Sequence, residues 1–136
     1  MYLTREIQGI MDYLRADKHF DNTHIVKAFP YMKKPTKLRK IVIAVSPSEI
    51  EAENISVGDV NLYGEYSIDF DVFSPQELGT PVAFDSIQNI IEILKCFYPS
   101  RIYVSKITPV DEISCFSAKC TLTFNGEINF GGAVNE

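Results

Sequence analysis

The stretch Tyr66-Ser67-Ile68-Asp69-Phe70-Asp71-Val72 alternates large apolar and polar side chains without a break. Successive side chains of an extended strand point to opposite faces. This period of two therefore sets Tyr66, Ile68, Phe70 and Val72 on one face and Ser67, Asp69 and Asp71 on the other. Such a strand is half buried, with one face in a core and the other in water. A sheet is expected at the centre of the fold, and the flanking segments must supply neighbouring strands and a cover for the apolar face.

Toward the N-terminus, residues 46–61 turn polar and acidic and contain the breakers Pro47 and Gly58. They read as a long irregular excursion, mobile in a free subunit. Ile41 to Val45 is a short apolar strand, and His24 to Phe29, ended by Pro30, reads as an edge strand. Between the two lies Lys33-Lys34-Pro35-Thr36-Lys37-Leu38-Arg39-Lys40, so a hairpin with a basic loop is expected. Residues 4–17 place Ile7, Ile10, Met11 and Leu14 at helical spacing, with Thr4 as candidate N-cap.

Toward the C-terminus, Pro75 to Pro81 reads as a turn. Asp85 or Ser86 then caps a helix whose apolar stripe is Ile87, Ile90, Ile91 and Leu94, with Phe97 as candidate last member and Pro99 as terminator. Arg101 to Ile107 is a strand and Pro109 to Glu112 a turn. Phe116, Ala118, Cys120, Leu122 and Phe124 alternate with polar residues in a further antiparallel-type strand. The tail from Gly131 to Glu136 has little to pack against. The reading is a single α+β domain over residues 1–136, of order α-β-β-β-α-β-β, with a mainly antiparallel sheet and both amphipathic helices packed on one face.

The 136 residues are 46% apolar and 23% charged, within the range of globular domains. The start, Met1 to Glu6, lacks the apolar core of a signal peptide, and no apolar run approaches the roughly 20 residues that cross a bilayer. No export and no membrane span are expected. Three cysteines, Cys96, Cys115 and Cys120, make an odd count that suits reduced, buried thiols in a cytosolic protein.

A catalytic constellation is hard to assemble from these residues. His19 and His24 sit in one loop, and Cys120 belongs to the apolar face of its strand, which suits a structural thiol. His19, Asp21 and His24 form only a loose trio of potential metal ligands. Asp69 and Asp71 match the ordinary polar face of a strand. The scattered glycines build no phosphate cradle. No enzyme activity, cofactor or metal is expected.

The charge is unevenly distributed. Residues 1–40 hold nine Lys/Arg and four Asp/Glu, net +5, whereas residues 41–136 hold four and fourteen, net −10. A basic half can mark a nucleic-acid footprint, but the overall pI near 5.0 and the lack of interleaved aromatics weigh against a dedicated binder. The split also suits a head-to-tail interface between copies, which closes into a ring when the rotation allows. Its candidate residues are Lys33, Lys34, Lys37, Arg39 and Lys40 on one copy and Glu49, Glu51, Glu53 and Asp59 on the next. Two separately solvated loops are the plainer alternative.

An N-terminal amphipathic helix, a hairpin with a basic loop, a long excursion, the strand Tyr63-Gly64-Glu65-Tyr66-Ser67-Ile68-Asp69-Phe70-Asp71-Val72-Phe73, a second helix and closing strands follow one another along nearly the whole chain. This layout resembles the tail terminator or tail completion proteins of long-tailed bacteriophages and phage-tail-like bacteriocins, by size, order and pattern and not by a short motif. The resemblance implies a homo-oligomeric ring, a hexamer, that caps the tail tube protein and stops its polymerisation. The ring would meet a head connector in a phage and the sheath in a contractile tail. It also implies no active site, assembly in the cytoplasm before incorporation into the particle, and nucleic acid only as cargo passing through the lumen. Other tail or head-tail connector components, such as a tube initiator or a stopper, and a small binding or regulatory domain are the alternative readings.

Overall fold

A computed structural model describes residues 3–27, 40–54, 62–111 and 114–128. The elements run α1 (Leu3–Arg15), β1 (Thr23–Lys27), β2 (Ile41–Asn54), β3 (Leu62–Pro75), α2 (Thr80–Leu94), β4 (Arg101–Val104), β5 (Thr108–Val110) and β6 (Cys115–Ile128), with short 3-10 turns after α1, before α2 and after it. The fold is α+β, built on one six-stranded sheet of order β1-β2-β3-β6-β4, with β5 also paired to β6. Among the described residues only β1 and β2 pair in parallel; the other pairings are antiparallel.

The alternating stretch forms the middle of β3, which pairs with β2 on one side and β6 on the other. Its apolar face is enclosed, with Ile68, Phe70 and Val72 fully buried beside Ile43 and Val45 of β2 and Cys120 and Leu122 of β6. Both helices cover this face. Ile7, Ile10, Met11 and Leu14 of α1 and Ile87, Ile90 and Leu94 of α2 complete one continuous core. α1 lies over β1 and β2, and α2 over β3 and β6. The first turn of α1 is tied to the sheet where Glu6 approaches the Tyr66 hydroxyl, whose pKa is pushed up by burial first and by the Glu6 charge second. Tyr66 in turn stacks on Phe124, ring centroids 5.5 Å apart.

Several expectations are corrected. β1 and β2 run parallel, so they do not form a hairpin. Thirteen residues separate Lys27 from Ile41, a length that suits the crossover parallel strands require and far exceeds a hairpin turn. The connecting residues 28–39 lie outside the described residues, as does the tail.

The excursion expected over residues 46–61 is strand as far as Asn54, paired with β3 down to Leu62. Its period of two was masked by a bulge: Ser48 and Glu49 together oppose Ser67 between the Pro47↔Ile68 and Ile50↔Tyr66 pairs. The extra residue flips the parity, so odd residues face the core before it and even residues after it.

α2 begins at Thr80, earlier than the expected Asp85 or Ser86 cap. Gly79, at φ 86°, turns the chain, and Pro81 sits in the first turn, where its missing N–H costs nothing. Phe97 lies beyond the helix in a 3-10 turn and is exposed. β4 stops at Val104, short of the expected Ile107, and Pro109 and Val110, expected in a turn, belong with Thr108 to β5 on the edge of β6. On the far face, Cys115 gathers Val42, Phe73 and Val110 into a small second cluster.

Gly64 is required by close approach. A Cβ there would fall onto the Glu51 carbonyl oxygen and lie 2.6 Å from the Ala52 Cα. Gly9, in contrast, sits in α1 with open space around it. Gly64→Ala is expected to destabilise by about 1–3 kcal/mol through overpacking, whereas Gly9→Ala should stabilise by about 0.5–1 kcal/mol through helix propensity. Urea denaturation of the two variants checks both signs.

Candidate subunit interface

The sheet ends in two edges of different character. On the β2 side, β1 pairs only with Ile41–Val45, and among the described residues no strand pairs with the outer side of residues 46–54. That stretch carries Glu49, Glu51 and Glu53 and no basic residue. On the opposite side, β4 is the outermost strand, and all four of its residues are exposed. Ile102 is 47% exposed, Tyr103 61% and Val104 37%. α2 lies over β3 and β6 and leaves the helix-side face of β4 open.

The chain leading into β4 adds to this surface. After α2 and its 3-10 turn, Tyr98 adopts a left-handed conformation at φ 55° and is 87% exposed. An aromatic residue held at positive φ and projected into water is strained. From Lys95 to Val110 the chain contains Lys95, Arg101 and Lys106 and no acid. The β4 edge is therefore basic and apolar, with Lys95 paired to Glu92 and Arg101 to Glu65, where the stretch 46–54 of β2 is anionic.

Of the residues singled out from sequence, Glu49, Glu51 and Glu53 fall together on exposed positions of β2, and Lys40 is exposed immediately before it. Lys33, Lys34, Lys37, Arg39 and Asp59 lie outside the described residues. Sequence reasoning missed the cationic β4 edge, because three cations spread over sixteen residues do not look like a cluster. The available signal was the absence of any acid in that run.

The open sheet face is mainly acidic. β3 and β6 present Glu65, Asp69, Asp71 and Glu127 there, joined by Glu51 and Glu53 of β2. Glu51 sits directly opposite Glu65, a like-charge cross-strand pair that is unfavourable by itself. Arg101 offsets it by reaching across β6 to Glu65 Oε2 at 2.6 Å. Lys119 lies 3.6 Å from Asp69 and 3.9 Å from Asp71, and the Thr121 hydroxyl donates to Asp69 at 2.6 Å. Ser67 and Thr123 share a buried hydroxyl bond of 2.8 Å. Between the bulge of β2 and β4, Ser67, Thr121 and Thr123 floor an open concavity of about 550 Å³, bounded by Glu49, Arg101 and Tyr103.

The remaining candidates are accounted for by local contacts. His19 pairs with Asp17 at 2.6 Å, and the His19 N–H bonds hold the Asp17 carboxyl below its usual range. His24 is exposed on β1. Among the described residues no three His, Cys, Asp or Glu side chains gather as a metal site. Cys115 and Cys120 are buried, and burial pushes the Cys120 thiol up to about 12. Cys96, expected to be buried, is exposed, its sulfur near the Ile93 carbonyl and the Tyr13 hydroxyl. No helix among the described residues is long and apolar enough to cross a membrane.

Asp71 yields a pH prediction. Burial raises its pKa, Lys119 opposes the rise and Asp69 adds to it. The folded state then holds this proton more tightly than the unfolded chain, so the carboxylate costs stability above its folded pKa and the cost is relieved as pH falls through it. Relative to Asp71→Asn, the wild type should gain stability from neutral pH down to about 4. Parallel denaturation curves of the two proteins across that range test it; a difference that does not change with pH removes the assignment.

Against known proteins, the chain matches no family model and no curated sequence.

Proposed function

We propose that this chain is a structural subunit of a phage tail or phage-tail-like particle, joining copies of itself into a ring, a hexamer, that caps the tail tube and ends its polymerisation. The observation that carries the reading is the unlike character of the two sheet edges, anionic along residues 46–54 of β2 and basic and free of acids from Lys95 through β4 to Val110. Edges of one sign would repel their own kind, while unlike edges on opposite sides of one molecule favour head-to-tail joining. The resemblance in element order to tail terminators supplies the identity of the ring. Of that layout the chain keeps the N-terminal helix, the central strand, the second helix and the closing strands, while a parallel β1–β2 pair replaces the hairpin and the far half of β2 replaces much of the excursion.

In such a ring the open acidic face is free to meet the tube protein, or a sheath or head connector, without disturbing the core. The work is done by surfaces, and Glu49, Glu51, Glu53 and Arg101 are the residues that matter most.

Light scattering combined with negative-stain imaging, with the protein alone and with its tube protein, tests the proposal. Rings of uniform size, or caps at tube ends that limit tube length, are expected, and assembly should weaken as salt rises. A chain that stays monomeric in the presence of tubes and leaves their length unchanged rules the reading out in favour of a binding module.

A further inference from the structure

We infer that copies join by strand addition, with β4 of one copy extending the sheet of the next along Ile50–Glu53 of its β2. This rests on the self-association proposed above and names the surfaces that perform it.

Direction is the first argument. β2 is antiparallel to β3, β3 to β6, and β6 to β4, so β4 runs antiparallel to β2. Copies related by rotation about an axis along the strands keep those directions. The β4 edge of one copy then meets the β2 edge of its neighbour as an antiparallel pair, the more stable ladder.

Side-chain alternation is the second. Beyond the bulge, Ile50 and Ala52 lie on the helix-side face of β2, and Glu51 and Glu53 on the open face. In β4, Ile102 and Val104 lie on the helix-side face, opposite Leu122 and Cys120, while Arg101 and Tyr103 lie on the open face. Setting Arg101 against Glu53 places Ile102 against Ala52, Tyr103 against Glu51 and Val104 against Ile50. Apolar residues meet apolar ones on one face, and on the other Arg101, paired with Glu65 of its own chain, meets a second carboxylate in Glu53 of the neighbour. A shift of one residue would break both matches at once.

Self-pairing of either edge is less favourable. Pairing β2 with β2 of a second copy would bring Glu51 and Glu53 against their equivalents, a like-charge contact. Pairing β4 with β4 would join two cationic edges and leave the β2 edge unused. Pro47 and the bulge at Ser48 and Glu49 spoil the first part of the β2 edge for pairing, which confines addition to the residues beyond them. The exposed Ile102 and Val104, uncovered by α2, gain a neighbour in this arrangement.

The test uses the full chain with Cys96→Ser, to remove the exposed thiol, together with Ile50→Cys and Val104→Cys. Under mild oxidation this protein should give a ladder of covalent oligomers, whereas Ile50→Cys alone or Val104→Cys alone should give none. A covalent dimer from either single variant indicates self-pairing of that edge and overturns the inference. In parallel, Arg101→Glu and Glu53→Arg should each reduce assembly at least tenfold in the concentration required, and the double exchange should restore it. Wild-type assembly without the ladder, with both single variants assembling normally, defeats the strand-addition inference and leaves the ring reading standing. A wild type that never associates defeats both. Circular dichroism of each variant separates loss of assembly from loss of fold.

Discussion

The structure depends on the sandwiching of β3 between two equally long antiparallel neighbours beneath two helices. Its apolar row from Tyr66 to Val72 lies between those of β2 and β6, in one core with the helical side chains. Burial of side chains such as Ile68, Phe70 and Val72 contributes about 1.5–3 kcal/mol each relative to exposure. Gly64 lets the same ladder continue past the helices by allowing the β2 backbone to approach. Because β3 holds the centre, the sheet edges fall to β1 and the second half of β2 on one side and to β4 on the other, and α2 leaves β4 uncovered.

That placement gives the molecule its polarity. One sheet face is sealed by α1 and α2, and the other remains wet and mainly acidic, with Arg101 and Lys119 holding the closest carboxylates. The difference between the two edges arises within the acidic second half of the chain, where Glu49, Glu51 and Glu53 fall on β2 and Lys95, Arg101 and Lys106 fall in or beside β4. Electrostatic complementarity of this kind governs which surfaces meet and in which register more than it governs affinity. Strained Tyr98 and uncovered Ile102 and Val104 sit on the same edge as Arg101, so apolar area and charge are offered together.

Much of this architecture is written in local pattern. The period-two runs of β3 and β6 and the helical stripes of α1 and α2 identified the core residues, because each needs only its own spacing to declare which face is buried. Reading failed where one element's pattern depends on another's backbone. In β2 a single extra residue at Ser48 and Glu49 reversed the parity, and an alternating strand, Ile50-Glu51-Ala52-Glu53, passed for an acidic loop.

The sequence by itself determined the α+β class, the two buried helix stripes, the central strand and the segregation of charge, since hydrophobic periodicity and composition are local properties. Tertiary structure alone decided that β1 lies parallel to β2, that β4 takes the outer edge, and that Glu51, Glu53 and Arg101 share one open face. Strand order and direction arise from which edges find partners across many residues of chain, and no window of neighbouring residues encodes that choice.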